Sequence, residues 1–209
     1  MLAAPMDSAG AGASMLRLPM VFERNQGQFD GAVQFASRGP GYAVFLRRSD
    51  ALLAFAAEKQ PATLLRITLA GGSRRPELEG LEPQPGRIHY YAGSDPARWQ
   101  TGIRTFARVR YREVYPGIDL VYYGNPAQAG QIEYDFIVQP GADPARIEVA
   151  LPGARRVRIE GEDLLVETPG GDIRFRRPVA YQPSGRARTN VTAHYVLRGW
   201  QLSQVGARG

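Results

Sequence analysis

The sequence predicts an all-β fold: an antiparallel β-sandwich or two small packed β units, with only single helical turns. Three observations predict it. Short segments alternate apolar and polar residues with period two, most cleanly at 132–138. There Ile132, Tyr134, Phe136 and Val138 fall on one face and Glu133 and Asp135 on the other, as in a strand with one buried face. Six Pro-Gly dipeptides, beginning at Pro40, Pro85, Pro116, Pro140, Pro152 and Pro169, punctuate the chain. Proline presets the first central position of a turn and glycine accepts the positive φ of the second, which favours type II turns. Strand-like segments also recur at short spacing, as in sandwiches and barrels.

Taken in order, residues 1–17 read as a disordered lead-in, rich in Ala and Gly. They lack a basic start and an unbroken apolar core, so they are not an intact signal peptide. Residues 18–25 form a first short strand and Gln26-Gly27-Gln28 a turn. Strands follow at 33–37 and 42–46. Residues 50–57 fit a strand or a short helix, and 64–69 a strand with Leu65, Ile67 and Leu69 on one face. The polar stretch 71–86, with three prolines, is the expected sub-boundary within a domain spanning 18–198. Short strands at 88–92 and 105–111 flank Asp95-Pro96-Ala97-Arg98, a capping residue followed by proline at the first helical position. Asp143-Pro144-Ala145-Arg146 repeats that pattern 48 residues later. The last third is a meander at 155–160, 164–168, 172–177 and 191–197, and 199–209 is expected to be a disordered tail.

The hairpin 118–138 allows a register to be derived. Cross-strand partners on one face have residue numbers with an even sum. A sum of 254 sets Asp119 opposite Asp135, and like charges directly opposed are unfavourable. A sum of 256 sets Tyr122 opposite Tyr134, Leu120 opposite Phe136 and Asp119 opposite Ile137, and is preferred. Odd sums would turn Asp135 to the core face.

Composition narrows the chemistry. The chain has no cysteine, hence neither a disulfide framework nor a thiolate metal site. Its net charge is +6 and Lys59 is its only lysine. No apolar run reaches the length of a membrane-spanning helix. His89 and His194, the two histidines, each lie beside a tyrosine without a second ligand at metal-binding spacing, and read as partly buried, hydrogen-bonded side chains. No phosphate-loop, dinucleotide, nucleophile-elbow or zinc-protease pattern occurs. The expectation is therefore no catalytic residue, no metal and no cofactor.

Three groups of residues remain as candidates. Asp119, Glu133 and Asp135 share one face of the hairpin at spacings that glycoside hydrolases use, although a solvated outer face accounts for them more simply. Eight arginines cluster late, at 155, 156, 158, 174, 176, 177, 186 and 188. Glu160, Glu162, Asp163 and Glu167 are interleaved and no aromatic platform alternates with them. This is a mixed-charge solvated face rather than a specific nucleic-acid site. Tyr91, Trp99 and Tyr123 are the candidate ligand-binding aromatics, able to offer a flat surface to a sugar.

Several strings then stand out together. They are Phe-Glu-Arg-Asn-Gln-Gly-Gln at 22–28, Gly-Tyr-Ala-Val-Phe-Leu at 41–46 and Tyr-Pro-Gly-Ile-Asp-Leu-Val-Tyr-Tyr-Gly at 115–124. Glu-Tyr-Asp-Phe at 133–136, Pro-Gly-Ala-Asp-Pro at 140–144 and Arg-Pro-Val-Ala-Tyr-Gln at 177–182 complete the set. In this order they resemble an uncharacterised N-terminal domain of large bacterial secreted or surface proteins, where it precedes β-propeller-type repeats, immunoglobulin-like modules or a secretion-sorting tail. The resemblance covers about residues 18–198 and brings no catalytic role. It implies an extracellular or cell-surface location and a non-enzymatic module for attachment or assembly, with a cell-surface glycan or protein as partner. The alternatives are a carbohydrate-binding module and, more weakly, a glycoside hydrolase using Asp119, Glu133 and Asp135.

Overall fold

A computed structural model describes residues 2–8, 20–55, 62–125, 131–184, 187–198 and 201–206. The fold is all-β, and every strand pairing in it is antiparallel. The first nine strands are β1 (Leu2–Ser8), β2 (Phe22–Arg24), β3 (Val33–Gly39), β4 (Tyr42–Arg47), β5 (Asp50–Phe55), β6 (Thr63–Leu69), β7 (Leu78–Tyr90), β8 (Gln100–Tyr115) and β9 (Ile118–Gly124). There follow β10 (Ile132–Val138), β11 (Glu148–Ala150), β12 (Arg156–Glu160), β13 (Asp163–Thr168), β14 (Gly171–Phe175), β15 (Val179–Ser184), β16 (Ala187–Val191), β17 (Ala193–Arg198) and β18 (Gln201–Gly206).

The sixteen-residue β8 is the branch point. One edge carries β7. The other is shared, with β2 at Thr105–Phe106 and β9 from Arg108 to Tyr115. One arm runs from β2 through β3, β4, β5 and β6 to β11, β18 and β17. The second runs from β9 through β10 and β1 to β14 and β15, with β13 and β12 beyond β14 and β16 beyond β15. Both arms turn their apolar faces onto one core. Leu46, Leu53 and Leu65 from the first belong to the same buried cluster as Tyr122, Phe136, Val166 and Phe175 from the second. Alternation therefore does the folding work, each strand giving every second side chain to a shared interior.

The derived register of the central hairpin is the observed one: Tyr122 faces Tyr134, Leu120 faces Phe136 and Asp119 faces Ile137. Both Asp-Pro turns form single 3-10 turns, and Asp95 and Asp143 accept from the Ala97 and Ala145 amides at 3.0 Å. The first turn closes the β7–β8 hairpin, whereas the second carries the chain from β10 to β11, which are not partners. The repeat is thus a local turn used twice, not a repeated unit.

Positive φ is found at four of the Pro-Gly sites, on Gly41, Gly117, Gly141 and Gly153. Gly117, at φ +71, opens the β8–β9 turn, and a Cβ there would lie 2.9 Å from the Ala142 Cβ. Gly117→Ala is expected to cost about 1–2 kcal/mol, because alanine pays for the left-handed conformation and also meets Ala142. Urea denaturation of the two chains tests this; an alanine chain as stable as the parent would show that the turn tolerates negative φ.

Three expectations are corrected. Leu2–Ser8, placed in the disordered lead-in, is a strand paired to β10, β14 and β15. Gln201–Gly206, placed in the disordered tail, pairs with β17 and β11. In both cases a strand edge offers unpaired backbone groups that a further strand satisfies. The stretch 71–86 is no boundary, since Leu78–Tyr90 is one long strand against β8. Residues 50–57 give a strand at Asp50–Phe55 with Ala51, Leu53 and Phe55 buried; 56 and 57 lie outside the described residues. The hairpin loop 126–130 and Arg186 also lie outside them. Among the described residues, no helix is long and apolar enough to cross a membrane.

Candidate functional site

The tip of the β7–β8 hairpin gathers two of the three candidate aromatics. β7 ends at Tyr90 and the chain reverses through Gly93, φ +75. Asp95 caps the turn Pro96–Arg98, and the Trp99 amide closes it on Pro96 O at 3.1 Å. The Trp99 indole folds back, its Nε1 donating to Gly93 O at 3.1 Å. Tyr91 meets it edge to face, with ring centroids 5.1 Å apart at 89°. Two residues earlier on the strand, His89 holds its ring parallel to Tyr91, 6.0 Å away, and its Nδ1 accepts from the Gly102 amide at 3.3 Å. Tyr91 is 63% exposed and Trp99 36%. His89 and His194 are both exposed rather than partly buried as expected. The result is a three-ring platform, oriented by local hydrogen bonds and open to solvent.

This platform stands on an anchor that residue patterns did not reveal. Tyr90 points the opposite way from its neighbours and donates its hydroxyl to the Glu23 carboxylate, at 2.7 and 2.6 Å from the two oxygens. Glu23 is only 3% exposed. Gln28 Nε2 donates to it at 3.2 Å and Arg38 lies 3.6 Å away. Arg38 also bonds the Tyr90 hydroxyl and lies over the Phe29 and Tyr90 rings. Burial and the Glu23 carboxylate push the Tyr90 hydroxyl up to about 12. Asn25 holds the following turn. Its Nδ2 donates to Asp30 O and Val33 O at 2.9 and 2.8 Å, and its Oδ1 accepts from the Gly27 and Phe29 amides. The string at 22–28 is therefore the lock between β2 and β7.

Tyr123, the third candidate aromatic, lies elsewhere. It is half-buried beneath the Arg108 guanidinium, 5.0 Å from its ring centre, and donates to Asp135 Oδ1 at 2.9 Å. Burial, then the Asp135 and Glu133 carboxylates, push its hydroxyl well above the usual phenol range. The three carboxylates have separate structural duties. Asp119 accepts from the Glu113 amide at 2.8 Å and so holds the bulge where Glu113 takes φ +46. Glu133 accepts from Asn125 Nδ2 at 2.6 Å. Asp135 is not on a solvated face but 5% exposed, because Tyr123 covers it.

Burial raises the Asp135 carboxyl above its ordinary value of 3.8, and the Tyr123 hydrogen bond opposes the shift. The folded chain thus holds this proton more tightly than the unfolded chain. The contribution to stability is full below pH 3.8 and is lost as pH rises through the raised value. Asp135→Asn keeps an oxygen for Tyr123 and abolishes the titration. Its stability relative to the parent is expected to improve as pH rises through that window, read by urea denaturation at each pH. Parallel pH profiles would mean the carboxylate ionises there without penalty.

Of the late arginines, Arg158, Arg174, Arg176 and Arg177 pair with acidic neighbours. Arg158 and Arg174 each lie 3.0 Å from Glu160, Arg174 is 3.3 Å from Asp163, and Arg177 is 3.4 Å from Glu162. An open groove of about 360 Å³ runs beside Gln34, Arg47, Arg48 and Arg66 and has no aromatic lining; Arg47 is spent on Asp50 at 2.6 Å. Among the described residues, no group of three His, Asp or Glu side chains is placed to hold a metal ion.

A family model described as a domain of unknown function, DUF7948, matches residues 22–206. No curated protein and no solved structure matches the chain.

Proposed function

The chain belongs to the DUF7948 family, a domain of unknown function, and on that premise we propose that it is a non-enzymatic β module of a bacterial extracytoplasmic multidomain protein, acting in attachment or assembly. The observation that carries this reading is the exposed platform of His89, Tyr91 and Trp99, held rigid by the turn and by the Tyr90 anchor beneath it. Rigid exposed rings bind at low entropic cost. The commitment of Asp119 to a bulge and of Asp135 to Tyr123 supports leaving hydrolysis aside. The pairing of Arg158, Arg174 and Arg177 with acids supports leaving specific nucleic-acid binding aside.

A second reading, a carbohydrate-binding module, is favoured by one feature. Tyr91 leaves most of its ring open beside an indole and an imidazole, an arrangement suited to the C–H face of a sugar.

A glycan and peptidoglycan binding screen on the purified chain, repeated with Tyr91→Ala and Trp99→Ala, tests both readings. If each ring carries about 1–3 kcal/mol, as interface aromatics do, each variant should weaken binding roughly 5- to 150-fold. The melting temperature of Tyr91→Ala should barely move, since that ring is 63% exposed, whereas Trp99→Ala also loses the Nε1 bond to Gly93 O and should melt somewhat lower. Full binding by folded variants, or no binding by the parent chain, would remove the platform as the attachment surface.

A further inference from the structure

Strand β1 is, among the described residues, the one element that joins β10 to β14 and β15. One of its edges pairs with β10, from Leu2 opposite Phe136 to Met6 opposite Ile132. Its other edge pairs with β15 at Leu2 and Ala3 and with β14 at Met6, Asp7 and Ser8. Ala4 and Pro5 fall between these two partners. Proline has no N–H to give a ladder, and Pro5 sits where the second edge has no strand beside it. Take β1 away and two walls of backbone donors and acceptors face an empty slot, a template for another strand.

The walls of the slot, at 132–136, 173–175 and 179–180, all lie within the matched residues 22–206, and the strand that fills it lies outside them. Thirteen residues, 9–21, separate β1 from β2. That length spans up to roughly 45 Å when extended, enough to bring β1 to a neighbouring molecule.

We propose that the slot is a strand-exchange site, in which Leu2–Ser8 of a second copy of this chain enters between β10 and β14/β15 in the same antiparallel register. The second copy is the partner whose fit the structure supplies, since its strand is identical to the one already seated. Backbone pairing is the same in both forms, so concentration decides between them. A strand tethered to its own slot has an effective concentration on the order of millimolar, and exchange grows as the protein is concentrated towards that value. This proposal is independent of the aromatic platform, and either can fail without the other.

Because the chain has no cysteine, introduced thiols report alone. Asp7 lies opposite Arg174, and antiparallel partners are about 4.5–5.5 Å apart, within disulfide reach. An Asp7→Cys chain is mixed with an Arg174→Cys chain at concentrations on the order of a millimolar, incubated and oxidised. The expected result is a disulfide-linked dimer joining positions 7 and 174, identified by mass spectrometry. No such dimer is expected when Glu162→Cys, an exposed position away from the slot, replaces Arg174→Cys. The double variant Asp7→Cys/Arg174→Cys reports on the strand in its own slot by closing within one chain. Internal closure without the mixed dimer would overturn the exchange. Equal dimer with the Glu162→Cys control would make the cross-link unspecific and overturn it too. Absence of any closure would show that β1 does not occupy the slot, and the proposal would fall.

Discussion

Replacing Phe136 with alanine is expected to cost about 3–5 kcal/mol, the loss typical of a deleted core phenylalanine. Phe136 is 1% exposed and lies opposite Leu120 across the hairpin. Its ring meets Tyr134 edge to face at 5.9 Å. The site cannot collapse easily onto the space left behind. β10 is paired along both edges, with β9 on one and β1 on the other, so its backbone has little freedom to move inward. The cavity would also open in the cluster that both arms share. Urea denaturation should show a lower midpoint with an unchanged slope. A loss below about 1 kcal/mol would mean that the ring is not packed as a core residue of this kind.

That the core face of β10 was legible at all follows from local physics. Ile132, Tyr134 and Phe136 alternate with Glu133 and Asp135, and a face can be assigned from such a pattern alone. The register followed from a single repulsion, that between Asp119 and Asp135 in the competing alignment. The two Asp-Pro-Ala-Arg turns were legible for the same reason, since cap, proline and turn are contiguous.

What the sequence hid was set by contacts between distant segments. Residues 71–86 looked like a linker because Gly80, Pro83, Pro85 and Gly86 each argue against a strand. In the structure the Phe106 ring lies over Gly80, where a Cβ would come within 2.5 Å of it. Glu82 at φ +53 and a register shift between Pro83 and Arg87 absorb the rest. The glycine and prolines mark an irregular strand, and only the partner across from it makes that clear. Asp135 alternates like an outward residue, yet Tyr123 covers it from the neighbouring strand. The platform was half legible. Tyr91 and Trp99 are eight residues apart and meet because the turn between them is short. Tyr123 shares their chemistry but comes from a different hairpin. The Glu23–Tyr90 lock spans 67 residues, and nothing near Glu23 in the chain announces it.

That lock supports the second large effect. Tyr90→Phe is expected to cost about 1.5–3 kcal/mol, the range for a hydrogen bond to a charged group, or roughly 3–12 °C in melting temperature for a domain of this size. The phenylalanine ring keeps its place beside Phe29 and under Arg38, so packing is preserved and the loss isolates the hydroxyl. The other partners of Glu23 do not replace it. Arg38 has a side chain 44% exposed and stands 3.6 Å away, a screened pair of small worth, and Gln28 offers a single amide at 3.2 Å. The carboxylate would stay buried with its best donor gone. The damage should concentrate at one joint. β2 pairs with β8 at two positions, Phe22–Phe106 and Glu23–Thr105, so the Tyr90 hydroxyl ties the first arm to the β7–β8 hairpin where backbone pairing is short. Hydrogen exchange at the β2 amides should accelerate more than exchange in β9 and β10. In the background Glu23→Gln, where no charge needs solvating, the same Tyr90→Phe change should cost clearly less. A loss under about 0.5 kcal/mol in the parent background, or equal losses in both backgrounds, would show that the carboxylate does not depend on this hydroxyl.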